Sequence, residues 1–223
     1  MNIIKLSYEM EKNSPVHVDL EKPKIKQNNF ISKVGYNSFI IKAENHSGTH
    51  VDAPGHFLEN GKFISEYSIE ELIFRNPLIL DLPKNVDELI ELKDVLNCDL
   101  SNIDILFFHT GFEKFRIENP DKYLTHNPGI SPDVILWIRE NFPGIRSIGI
   151  DCVSISSYKN PEQGREAHVN AFKESEKLGE PLLLLEDMRL HDFKNTSIKE
   201  VIVVPWQIKG IDSAPCTVFA KID

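Results

Sequence analysis

Eight short apolar runs, at residues 3–8, 36–43, 77–82, 103–109, 147–151, 182–186, 201–208 and 217–222, set the terms on which this chain of 223 residues can fold. Each has the length of a strand, which speaks against a helical bundle. Helical patterning is legible in three places. At 132–141, Ser131 stands at the cap position, Pro132 suits the first turn, and Val134, Ile135, Trp137 and Ile138 supply an apolar face. Residues 87–96 carry Leu89, Leu92 and Leu96 at three- and four-residue spacing, and 162–178 read as a further helix. Strands outnumber helices, and the helices are interleaved in the second half. The pattern predicts an α/β fold, a mixed sheet with flanking helices. No repeat, low-complexity tract or Gly/Ser linker interrupts it, so residues 1–223 read as one domain.

Charge and cysteine content narrow the function classes. The formal net charge is -9, so neither nucleic acid nor an anionic membrane is an expected partner. No apolar run approaches the roughly 18 residues of a membrane span. Cys98, Cys152 and Cys216 are scattered and odd in number, which argues against a disulfide framework and a thiolate metal site and fits a reducing cytoplasm. Cys152, Trp137 and Trp206 read as core, and the basic run at 22–26 reads as a solvated segment. Neither a phosphate loop nor a dinucleotide fingerprint is present.

Chemistry concentrates in the first quarter of the chain. His46, His50 and His56 fall within 11 residues, where even scatter of 8 histidines over 223 positions would put fewer than one. Asp52 lies among them. The four-residue step from His46 to His50 occurs in helical metal sites, but Gly48, Pro54 and Gly55 oppose a helix, so a loop is expected. Fully extended, residues 46–56 would span about 33 Å, too far for one ion. Bends at Gly48 and at Pro54-Gly55 would bring the side chains together. Imidazole and carboxylate without thiolate suit Zn²⁺ first and Mn²⁺ second.

The stretch His46-Ser47-Gly48-Thr49-His50-Val51-Asp52-Ala53-Pro54-Gly55-His56 resembles the His-x-Gly-Thr-His-x-Asp-x-Pro-x-His signature of the cyclase-like metal-dependent hydrolases, the family of bacterial kynurenine formamidase and isatin hydrolase. Fainter likenesses run along most of the chain, at Leu6-Ser7, His109 to Phe112, Ile148 to Asp151, Glu166 to His168, Leu184 to Met188, and Gly210 to Pro215. The resemblance implies a swivelling β/β/α fold and a homo-oligomer, dimer or tetramer. It implies that His46, His50 and Asp52 hold a metal ion and that His56 is the catalytic proton donor and acceptor. For a second ion it offers His168 and Glu186, with Glu180 as a competitor for Glu186; whether there are one or two ions stays open. Two departures weaken a kynurenine substrate. His17 stands where those enzymes carry a tryptophan, and Cys216-Thr217 follows Pro215 where many relatives have Val-Arg.

The implied reaction is hydrolysis of a small amide, formamide or lactam by metal-activated water, with His56 moving the proton; its pKa near 6.5 suits both directions of transfer. A metal-dependent lyase or cyclase on a small carbonyl compound is the alternative, and a metal-binding protein without turnover a third. Thr49 is read either as a hydrogen-bond donor to substrate or as a tie within the loop. His109-Thr110-Gly111-Phe112 is read either as a pocket rim or as a strand exit, and Asp151 either as orienting a ligand or, preferably, as a turn cap.

Overall fold

The computed structural model describes residues 2–222. The strands, in chain order, are β1 (Asn2–Lys5), β2 (Lys24–Asn29), β3 (Ser38–Lys42), β4 (His50–Asp52), β5 (Ile73–Phe74), β6 (Pro77–Asp81) and β7 (Leu89–Ile90). They continue as β8 (Ile105–His109), β9 (Gly129–Ile130), β10 (Ser147–Ile150), β11 (Leu183–Glu186), β12 (Ile198–Pro205) and β13 (Ser213–Ile222). The helices are α1 (Ile31–Val34), α2 (Leu92–Val95), α3 (Phe115–Glu118), α4 (Pro120–Thr125), α5 (Pro132–Asn141) and α6 (Pro161–Phe172).

One mixed sheet, ordered β5-β12-β13-β4-β11-β10-β8-β6 with β1 added against β13, organises the molecule. β6, β8, β10 and β11 are mutually parallel, whereas β4, β13, β12 and β5 pair antiparallel. The two regimes meet between β11 and β4. Alternation along the strands divides the core. Leu106, Phe108, Ile148, Ile150 and Leu184 pack with Val134, Ile135 and Ile138 of α5 and Ala167, Ala171 and Phe172 of α6. Ile105, Phe107, Leu183, Leu185, Val51 and Val218 face the other way, with Leu6, Ile64 and Met188.

Each of the eight apolar runs overlaps one of these strands, although β1, β12 and β13 begin one, three and four residues before theirs, and the helix expected at 132–141 has those bounds. Other expectations need correction. Residues 87–96 are not a continuous helix. Glu88 and Ile90 give their carbonyls to Gly129 and Ser131 in the β7–β9 ladder, leaving only α2 helical. The helix expected at 162–178 ends at Phe172, where the buried Arg139 guanidinium draws in carbonyls: Nη1 donates to Asn170 O and Lys173 O, both at 2.7 Å, and Nη2 to Gly179 O at 2.5 Å. Planar, permanently charged and rich in donors, arginine fits that turn. The lysines of the basic run, Lys22, Lys24 and Lys26, are exposed as expected, the last two on β2, where Glu21 pairs with Lys24 and Lys42. Trp206 is 41% exposed, not core. Segment 45–57, expected as loop throughout, contains β4.

Downstream residues brace that segment. Gly55 N donates to Lys62 O, and a Cβ on Gly61 would stand 2.4 Å from Pro54 C and 2.5 Å from Gly55 N. Side-chain movement cannot relieve a clash with backbone. Gly61→Ala should therefore destabilise the protein by roughly 1–3 kcal/mol, seen as a lower urea midpoint with unchanged m-value.

Candidate metal centre

Cross-strand register builds the centre. β4 lies between β11 and β13, with His50 opposite Glu186 and Pro215, and Asp52 opposite Leu184 and Ser213. Because side chains alternate, His50, Asp52 and Glu186 emerge on one sheet face, the face that carries Leu184 and is covered by α6. His168 reaches the same point from α6. His50 Nε2 is 3.4 Å from Asp52 Oδ1 and 3.3 Å from Glu186 Oε2, and His168 Nε2 is 3.5 Å from Glu186 Oε1. The four residues are 1–3% exposed.

Hydrogen bonds fix which ring nitrogen faces inward. His50 Nδ1 lies 2.8 Å from Gly48 O and His168 Nδ1 2.9 Å from Gly164 O. A carbonyl only accepts, so each proton sits on Nδ1 and each Nε2 turns a lone pair to the centre. Glu186 is fixed by Ser154 Oγ at 2.9 Å and Ile155 N at 2.7 Å, both donating to Oε1. His50 Nε2 and both carboxylate oxygens of Asp52 are buried without any hydrogen-bond partner. Such groups are costly to leave unsatisfied. The donor set, nitrogen and oxygen only, and these orphaned atoms fit a divalent cation. Burial, then the Asp52 charge, pushes the neighbouring Cys216 thiol well up, so it offers no thiolate.

Two groups of potential ligands share Asp52: His50, Asp52 and Glu186, and His46, Asp52 and His56. The second forms the partly exposed mouth. Gly48, with φ at 63°, turns the chain between His46 and His50, and a 3-10 turn at Pro54–His56 brings His56 back, its ring centroid 4.2 Å from that of His46. The two expected bends are both present. His46 Nδ1 is 3.1 Å from Asp52 Oδ1. Burial works against its charge, yet Asp52, with help from Asp212, raises His46 to about 10. Asp52 and Glu186 are buried too, but the imidazoles hold both carboxyls below the usual range.

Asp212 escaped the sequence reading. His56 Nδ1 donates to Asp212 Oδ2 at 2.9 Å, while Ser213 Oγ lies 2.9 Å from His46 Nε2. Despite its partial burial, Asp212 is held far below the ordinary carboxylate range by His46 and His56. Its segment, 210–215, carried a faint family likeness, but nothing local linked it to a histidine 156 residues away. Glu180 is exposed and joins neither group. Thr49 Oγ1 donates to Asp187 O at 2.6 Å and accepts from Tyr8 N at 2.9 Å, bonds that tie the loop down to two distant segments. Asp151 caps the β8 exit, accepting from Thr110 N, Thr110 Oγ1 and Gly111 N.

The chain is similar to several known proteins. An uncharacterized protein of Haemophilus influenzae is 35% identical over 117 residues, 52% of this chain and 82% of that protein. A kynurenine formamidase of Bacillus cereus is 28% identical over 170 residues, 76% of this chain and 73% of the enzyme. Isatin hydrolase A from Labrenzia aggregata superposes with a TM-score of 0.82 at 19% identity, over 99% of this chain and 93% of that one, a likeness of fold. The Cyclase family model matches residues 4–157, more than half of the sequence, and the chain belongs to that family.

Proposed function

We propose that this protein is a metal-dependent hydrolase of a small amide, formamide or lactam. Its ligands are His46, His50 and Asp52, with His168 and Glu186 serving a second ion, zinc before manganese. The buried, hydrogen-bond-free His50 Nε2 and Asp52 oxygens beside the His56–Asp212 pair carry this reading. Similarity to a kynurenine formamidase and a fold shared with an isatin hydrolase support it. When bound, a divalent ion supplies Lewis-acid polarisation of a carbonyl and lowers the pKa of water.

The rest falls to the chain. Asp212 accepts the Nδ1 proton of His56 and so leaves Nε2 as the ring's working atom. A carboxylate behind an imidazole orients it and stabilises the imidazolium formed when it takes a proton. His56 thus receives a proton at Nε2 as water attacks and returns it to the departing nitrogen. Phe57, stacked on His168 with centroids 4.7 Å apart and edge-on to His56 at 4.6 Å, lies beside the mouth. The β2–β3 hairpin and the α1 turn within it expose Ile31, Tyr36, Phe39, Ile40 and Ile41, apolar surface on both sides of the ribbon that supports a homo-oligomer, dimer or tetramer. The three cysteines are free, in keeping with a reducing cytoplasm.

Hydrolysis in ¹⁸O-labelled water should place the label in the acid product; turnover without incorporation would favour the lyase or cyclase alternative. Asp52→Ala should lose bound metal by elemental analysis. His56→Asn should keep it while kcat falls by roughly 10²- to 10⁴-fold, whereas metal loss in that variant would make His56 a ligand. Asp212→Asn should lower kcat at constant metal content. In chelated protein, the raised His46 pKa contributes stability that is complete below about 6.5 and drains away as pH climbs toward about 10. Melting temperatures of chelated protein should fall across that window. Metal must displace the same proton, so zinc affinity should strengthen as pH rises, measurable by competition titration.

A further inference from the structure

The carboxyl ends of the parallel strands carry a second cluster that shares no residue with the centre above. His109 ends β8 and is 2% exposed. Its Nδ1 donates to Asp81 Oδ1 at 2.6 Å, and Asp81 is its register partner at the end of β6. Lys194 Nζ, 3.2 Å from Asp81 Oδ2, keeps that carboxylate charged. With the proton on Nδ1, Nε2 presents a lone pair, yet it is buried without a hydrogen-bond partner. It faces Glu113 Oε1 and Asp151 Oδ2, each at 3.9 Å. A lone pair aimed at two carboxylate oxygens is repulsive, and 3.9 Å is too long for an N–H···O bond from a protonated ring. The exposed His191 completes the group, its ring centroid 5.8 Å from that of His109.

We propose that His109, Glu113 and His191 form a separate binding site for a borderline divalent transition-metal ion such as zinc. One ligand atom from each lies within 4.8 Å of the others. Donors on a tetrahedral zinc stand about 3.4 Å apart, so the group needs to contract by an ångström or so. Asp81 behind His109 matches the carboxylate–histidine arrangement that fixes the tautomer of a metal-binding imidazole. Glu113 is already immobilised: Oε2 accepts from Tyr8 OH at 2.8 Å and Leu190 N at 3.0 Å, and Oε1 accepts from His191 N. Oε1 keeps one lone pair for a cation. Asp151 spends both oxygens on Thr110 and Gly111 and serves as a fixed negative charge. Burial, then that charge, pushes the Glu113 carboxyl up, and a cation would relieve the strain. His191 provides the solvent-facing entry and begins the turn His191–Phe193, which an ion would clip to the end of β8.

The test is equilibrium dialysis of the full chain against buffered zinc, with bound metal counted by elemental analysis. Wild type should hold one equivalent more than His191→Ala, a surface substitution that leaves the core intact. Asp52→Ala should retain that equivalent, and Asp52→Ala/His191→Ala should lose it. Zinc should also raise the melting temperature of Asp52→Ala but not of the double variant. Equal zinc content and affinity in wild type and His191→Ala, or in Asp52→Ala and the double variant, overturns the site. Because Asp52 separates the two centres, failure here leaves the reading of the first untouched.

Discussion

Everything at the centre depends on β4 being held in register on both sides. Three ionisable side chains, His50, Asp52 and Glu186, are buried on one sheet face. Removing such charges from water costs several kcal/mol per ion unless they are compensated. A slip of one residue against β11 or β13 would turn His50 and Asp52 to the opposite face, among Leu183, Leu185 and Ala214. A three-residue strand has few hydrogen bonds with which to resist that. Resistance comes from its flanks: Ala53 N donates to Asp212 O, Cys216 N to Thr49 O, and Gly48 N to Pro15 O. The segment is short because it is pinned at both ends.

The histidines divide by what stands behind them. His50 and His168 lean on neutral carbonyls, which set the direction of the lone pair while adding no charge. His56 and His109 lean on carboxylates, Asp212 and Asp81, which fix the tautomer of each ring. One residue type is thus set by carbonyls in the depth of the centre and by a carboxylate at its mouth.

Much of this was legible in the sequence, and the parts that were not share a cause. Apolar alternation marks strands from neighbouring residues alone, so the eight runs and α5 could be found. The spacing from His46 to His56, with Gly48 and Pro54-Gly55 as bends, likewise lies in one stretch. β4 was invisible because its polar residues, His50 and Asp52, deny it an apolar pattern while burial comes from the sheets around it. The long helix at 162–178 failed for a similar reason: the residue that ends it, Arg139, lies on another helix. Asp212 could not be tied to His56 before the β12–β13 hairpin was folded against β4.

That hairpin has a consequence for biosynthesis. The strand bearing Ser213, with Asp212 just before it, leaves the ribosome well after His46 and His56, which must wait with these partners still untranslated. Until then, the bent segment lacks one of its two neighbouring strands and both polar groups that steady its outer imidazoles. The arrangement of the outer imidazoles is therefore set only once that hairpin has folded against β4.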